Sequence, residues 1–210
     1  VTPVAQKASR RERSREAIAQ RLRPSIEALL AAGASFTDLG LDEILEGAEV
    51  PRSTFYYHFR DKGDLLMAVS ADAVAELITL ADGLYKPEQY SSRRRFGAVV
   101  RRTVEAWLTH VPLMSALSEL AAYNPTVREQ FRGGWERAQE GLVTHIRAGQ
   151  MQGFVRRDLH PEHVAAWLVW MAERGMSQLV WPSRAEELDA IAQALTAIVW
   201  HTLYPDNDAV

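Results

Sequence analysis

The chain has no cysteine, which removes disulfide frameworks, cysteine zinc sites, thiol nucleophiles and thiol redox sensing together. It also lacks long apolar runs: the stretch Ala165 to Ala172 falls far short of the about 20 residues that a bilayer-spanning helix needs. The first 25 residues are rich in Arg and carry no apolar h-region, so no secretory signal is read there and a cytoplasmic location is expected. No segment shows the two-residue period of a strand, and there is no P-loop, dinucleotide fingerprint or G-x-S-x-G elbow. His160 and His163 flank Pro161 without an obvious third ligand, and His110, His145 and His201 are scattered. Neither a metal, nor a cofactor, nor an enzymatic activity is therefore expected.

What is there is an ordinary globular balance: 210 residues, 47% hydrophobic and 24% charged, enough for one substantial domain or two small ones. The net charge of −3 argues at first against nucleic acid, whose partners usually show a basic footprint. That sum hides unlike parts. Residues 1–25 carry Lys7, Arg10, Arg11, Arg13, Arg15, Arg21 and Arg23 against only Glu12 and Glu16. Such a run reads as a solvated arm, and beside a DNA reader it would add phosphate contact. All six Trp, in contrast, lie between positions 107 and 200.

Apolar residues recur at Ile18, Leu22, Ile26, Leu29 and Leu30, the period of an amphipathic helix ending near Gly33. Pro24 falls inside it, so the helix either kinks there or starts near Leu22. Leu41, Ile44, Leu45 and Ala48 mark a short second helix, Val50 and Pro51 break it, and Arg52 to Phe59 forms a third. Two short helices about a tight turn match a helix-turn-helix. Asp61 is set to cap a fourth helix running through Leu65, Leu66, Val69, Ala73, Leu77 and Leu80 to about Ala81, with Gly83 and Pro87 ending it.

Phe96, Val99, Val100, Thr103, Val104, Trp107, Leu108 and Val111 keep helical spacing, and Pro112 is expected to separate their helix from a short one ending at Tyr123. Asn124 caps a long helix from Pro125 to about Met151. Gly133 and Gly134 within it cost about 1 kcal/mol each relative to Ala unless close packing or a cavity requires them. Pro161 opens a helix to about Val180, Trp181 and Pro182 end it, and Ser183 with Glu186 forms a capping box for the last, to about Leu203. The fold class is all-α, with about nine helices.

The segment Val50-Pro51-Arg52-Ser53-Thr54-Phe55-Tyr56-Tyr57-His58-Phe59-Arg60-Asp61-Lys62 resembles the signature of TetR-family transcriptional repressors, and the spacing of the surrounding helices fits over roughly residues 15–82. Met171-Ala172-Glu173-Arg174 and the last helix, ending Ile198-Val199-Trp200-His201-Thr202-Leu203-Tyr204, look like the actinobacterial EthR-like subgroup, typified by the ethionamide-resistance repressor. Three positions depart from the family pattern. Glu49 stands where Gly is usual in the turn, Pro51 where Ser commonly caps the recognition helix, and Gly40 where Thr or Ser caps helix 2 and bonds a phosphate.

The resemblance implies a basic arm at 1–17, a helix-turn-helix DNA-binding domain at 18–63 and a ligand-binding and dimerisation domain at 64–210. In a major groove, Arg52 could fork onto a guanine, and Ser53 and Thr54 offer hydroxyls to bases or phosphates. The resemblance assigns Tyr56, Tyr57 and His58 to phosphate, sugar or thymine-methyl contacts, and Lys62 to a phosphate. The plainer reading, that aromatics here are core, is preferred for Phe55 and Phe59. The acidic cluster Asp38, Asp42, Glu43, Glu46 and Glu49 is expected on the outward face, since phosphates would repel it.

Position by position, the resemblance maps a lipophilic pocket onto Phe96, Val100, Thr103, Trp107, Phe131, Trp135, Val169, Ala172, Glu173, Met176 and Trp200. Val169 and Ala172 stand where the subgroup carries Asn, which leaves Thr103 and Glu173 as polar anchors. The helix from Pro161 to Val180 is apolar nearly all round. With Leu188, Ile191, Leu195 and Ile198 of the last helix it would build a homodimer interface. The implied partners are a palindromic double-stranded DNA operator, a lipophilic small-molecule effector and a second copy, with no membrane. The alternative is a helical carrier or sensor of hydrophobic molecules with weak or no DNA binding.

Overall fold

A computed structural model of the protein describes residues 3–86, 90–180 and 186–205, with side chains from residue 10 onward. Eight α-helices and one π-helical segment make up the regular structure of the described residues: α1 (Pro3–Ala31), α2 (Leu41–Glu46), α3 (Arg52–His58), α4 (Lys62–Gly83), α5 (Arg93–Tyr123), α6 (Pro125–Gln152), α7 (Pro161–Gly175), the π segment Met176–Val180 and α8 (Leu188–Leu203). No strand occurs among them.

Two prolines that looked like breaks do not break their helices. Pro24 lies inside α1 and Pro112 inside α5. A proline frees the carbonyl four residues back; Pro24 is exposed and the carbonyl that Pro112 frees belongs to the exposed Leu108, so water can take the lost partner's place. Because α5 continues through Pro112, one long helix replaces the expected pair. The helix expected to reach Val180 is α-helical only to Gly175 and then widens into the π segment. The breaks assigned to Pro87, Trp181 and Pro182, and the Ser183 cap, lie outside the described residues.

Two compact units divide the chain: residues 1–73 with 112–131, and residues 74–111 with 132–210. The division falls within α4 rather than at residue 63, and the second half of α5 joins the first unit. Side chains give the reason. Glu119 of α5 accepts hydrogen bonds from Ser35 (2.5 Å) and Thr37 (2.6 Å) in the loop after α1. Leu113, Met114 and Leu117 are buried like Leu22 and Ile26 of α1, Phe36, Ile44, Phe55, Phe59, Leu65 and Leu66, which together form the unit's core. The second unit is centred on Phe96, Val104, Leu142, Ile146, Ala165 and Leu203, all fully or almost fully buried.

Asn124 Oδ1 accepts the backbone N–H groups of Thr126 and Val127, the cap expected for α6, and Asp61 Oδ1 accepts that of Asp64 at the start of α4. Gly133 and Gly134 have no packing justification: a Cβ on Gly133 would meet nothing within 4 Å, and one on Gly134 would make ordinary contact with Val74 and Ile78.

Candidate nucleic-acid interface and ligand cavity

The turn between α2 and α3 is closed by backbone bonds from Glu49 N–H to Glu46 C=O and from Val50 N–H to Leu45 C=O. Glu49 has φ 51°, the left-handed conformation that Gly would adopt without penalty. The turn geometry is therefore kept by a residue that it strains. Neither Gly40 at the start of α2 nor Pro51 at the start of α3 makes a side-chain cap.

In α3, Phe55 and Phe59 are buried and Tyr56 and Tyr57 are 59% and 64% exposed. The spacing of 55 and 59 puts both anchors on one helical face, and residues between them point elsewhere. Arg52 and Ser53 are exposed as well, with Thr54 and His58 half-buried. The acidic residues Asp38, Asp42, Glu43, Glu46 and Glu49 are all exposed. Asp42 lies 3.2 Å from the Arg52 guanidinium, so the candidate base reader has an intramolecular partner.

Arg11 and Arg15 were missed as site residues because they belong to the basic run. Both fold back on the α3 region: Arg11 donates to the Tyr57 carbonyl and stacks 5.5 Å over the Tyr57 ring. Arg15 stacks over Phe59 and pairs with Asp64 at 2.7 Å. His58 is held below the usual imidazole pKa, first by burial and then by these two cations. Its Nδ1 has no hydrogen-bond partner among the described residues.

Lys62, to which the resemblance assigns a phosphate, has partners within the chain. Its Nζ donates to the carbonyls of Phe36 (3.4 Å), Thr37 (3.0 Å) and Leu39 (2.6 Å). An ammonium has three protons, and all three are committed to pinning the loop before α2.

The second unit holds an apolar cavity of about 90 Å³. Phe96, Val100, Thr103, Trp107, Trp135, Val169, Ala172, Glu173 and Met176 line it, joined by Leu77, Ala81, Leu84, Tyr85, Ala138, Leu142, Leu168, Leu195 and Val199. Phe131 and Trp200 do not line it. Trp135, Ala138 and Leu142 share the face of α6 that meets the cavity; Phe131 lies a full turn earlier, in the other compact unit. On α8 the cavity face is Leu195 and Val199, and Trp200 is turned about 100° away, packing 4.5 Å from the Tyr204 ring and 5.7 Å from Phe96. Gly133 and Gly134 do not reach the cavity, and Leu195, expected on a dimer face, belongs to it.

Glu173 is 4% exposed in this apolar wall. Burial pushes its carboxyl pKa up, opposed by the neighbouring Arg174 and by the Ser177 hydroxyl, which donates to Oε1 at 3.3 Å. Trp107 and Trp135 lie 5.7 Å apart, and the Trp107 indole N–H finds no acceptor among the described residues. The Thr103 hydroxyl is used within its own helix, bonding the Val99 carbonyl. No group of residues able to hold a metal ion occurs among the described residues, and none of their helices is long and apolar enough to cross a membrane.

Residues 24–69 match the family model "Bacterial regulatory proteins, tetR family". The chain is 26% identical over 156 residues to the transcriptional regulator AcuR of Cereibacter sphaeroides, a match covering 71% of this chain and 70% of AcuR. It is 27% identical over 124 residues to the HTH-type transcriptional repressor NemR of Escherichia coli, covering 56% of this chain and 62% of NemR. In fold it resembles a TetR-family transcriptional regulator from Mesorhizobium loti, with TM-score 0.67 at 17% identity over 93% of this chain and 99% of that one. These relatives are regulators rather than enzymes, and the matched segment contains α2, the strained turn and α3. Residues 24–69 thus carry the TetR-family DNA-binding signature, and the chain as a whole is similar in sequence and fold to helix-turn-helix transcriptional regulators.

Proposed function

We propose that the protein is a repressor that binds a palindromic operator as a homodimer and leaves it when a lipophilic effector enters the cavity of the second unit. The observation that carries the DNA half is the pairing of buried Phe55 in α3, and of Phe59 just after it, with exposed Arg52, Ser53, Tyr56 and Tyr57. A seven-residue helix anchored on one face offers the other to a major groove. In this reading Arg52 exchanges Asp42 for a guanine, at small cost because exposed ion pairs contribute about 0–1 kcal/mol. Tyr56 and Tyr57 take backbone or thymine-methyl contacts, and His58 contacts DNA through its ring.

The cavity supports an effector role because nine of the residues that the resemblance assigned to a pocket surround one space. Its volume is below the ~300–1,000 Å³ of drug-sized sites, so a large effector enters only as the walls part. Release then follows from linkage: the effector must prefer a form whose two reading heads are wrongly spaced for the operator, and DNA must weaken the effector by the same factor. The subgroup likeness to ethionamide-resistance repressors rests on residues 171–174 and 198–204, with Phe131 and Trp200 outside the cavity as points of departure. The dimer reading rests on α7 and α8, which leave Trp167 (78% exposed), Trp170 and Ile198 uncovered.

The test is a gel shift with the DNA flanking the protein's own gene. A retarded species at low salt is expected; its absence would favour the carrier reading. Arg52→Ala should relax discrimination at one base pair per half-site, about 1–3 kcal/mol. Uniform weakening across all sequences would remove Arg52 from base reading.

A further inference from the structure

Among the described residues, the cavity lining includes one buried carboxyl and no basic side chain. Among the described residues its walls include no Lys, Arg or His, and its only other ionisable group is Tyr85, which burial keeps neutral. Glu173 itself is poorly satisfied: its carboxylate receives one long hydrogen bond, from Ser177. Arg174, beside it in sequence, is exposed to solvent. A buried carboxylate is disfavoured, and burial raises its pKa against the weaker opposing pull of the solvent-exposed Arg174. The same cavity is lined by Trp107, Trp135, Phe96 and Tyr85, whose ring faces carry negative charge density.

A neutral guest gains only ordinary apolar contact and a hydrogen bond here, and an anionic guest meets repelling ring faces beside an acidic group. A cation gains both the carboxylate and the rings. The geometry points to a lipophilic monovalent cation, an alkyl or aryl amine, as the effector class, with Glu173 as its counter-ion and the tryptophan pair as its aromatic wall. This inference rests on the reading of the cavity as the effector site.

The experiment uses the full chain and three probes sharing a four-carbon tail: butylammonium, butan-1-ol and butanoate. Each is titrated calorimetrically at a pH where the amine is protonated and the acid ionised. Butylammonium should bind about tenfold or more tighter than the alcohol, and butanoate should bind weakest. Glu173→Gln should abolish the preference, bringing the amine down to the level of the alcohol measured in the same variant. An alcohol that binds as tightly as the amine overturns the charge inference and leaves the cavity reading intact. Failure of all three probes to bind overturns both. An amine preference that survives in Glu173→Gln removes Glu173 from the role of counter-ion.

Discussion

At the scale of single residues, the turn between α2 and α3 holds Glu49 in a conformation that costs an L side chain roughly 1–2 kcal/mol. Glu49→Gly should therefore stabilise the protein by up to about 1 kcal/mol, offset in part by the greater freedom of Gly in the unfolded chain. Urea unfolding checks this; a destabilised variant would mean that the side chain contributes a contact larger than the strain. His145 carries a second residue-level consequence. It is 7% exposed, its Nε2 lies 2.9 Å from the Tyr204 hydroxyl, and burial lowers its pKa to about 4. In the unfolded chain the same group titrates near 6.5, so between these values the unfolded state binds the extra proton. The stability His145 contributes is complete above about pH 6.5 and is lost as pH falls toward 4, on the order of 3 kcal/mol in all. Unfolding midpoints at neutral and acidic pH should converge for His145→Gln relative to the parent; an unchanged slope would assign acid lability elsewhere.

At the scale of elements, hydrophobic period located nearly every helix, because the core positions Leu22, Ile26, Leu65, Leu66, Val69, Phe96 and Val104 are those that the pattern marks. It failed at proline. Local propensity treats Pro112 as a stop, whereas tertiary packing of Leu113, Met114 and Leu117 holds α5 together past it. The cavity was legible where residues follow a face, as with Trp135 and Glu173, and illegible at its limits, since sequence does not say how far along α6 or around α8 the walls extend. The Lys62 contacts were invisible for a different reason: three carbonyls of an irregular loop leave no periodic trace. Gly133 marks a prediction at this scale. With open space at its Cβ position, Gly133→Ala should raise stability by about 1 kcal/mol through helix propensity. Calorimetric melting checks it, and an unchanged or lower melting temperature would show that α6 relies on the flexibility of that position.

At the scale of the whole molecule, the net charge that argues against nucleic acid averages over a local arrangement in which Arg11 and Arg15 gather at Tyr57 and Phe59. The exposed apolar groups of α7 and α8 bear on assembly. Trp167→Glu combined with Ile198→Glu should convert a dimer to monomers in sedimentation, and operator affinity should fall with it, because two half-sites held by one dimer are bound far more tightly than by separate heads. Persistence of the dimer would move the interface off these helices.

The pair Trp107 and Trp135 also gives the molecule an optical property. Two indoles with ring centroids 5.7 Å apart and planes inclined by 35° couple their electronic transitions, so their far-ultraviolet circular dichroism carries a paired-band signal distinct from that of the helices. Any guest that parts these rings or slides against them alters that coupling. The wall of the cavity thus doubles as a built-in chromophore pair, through which occupancy can be followed without a label.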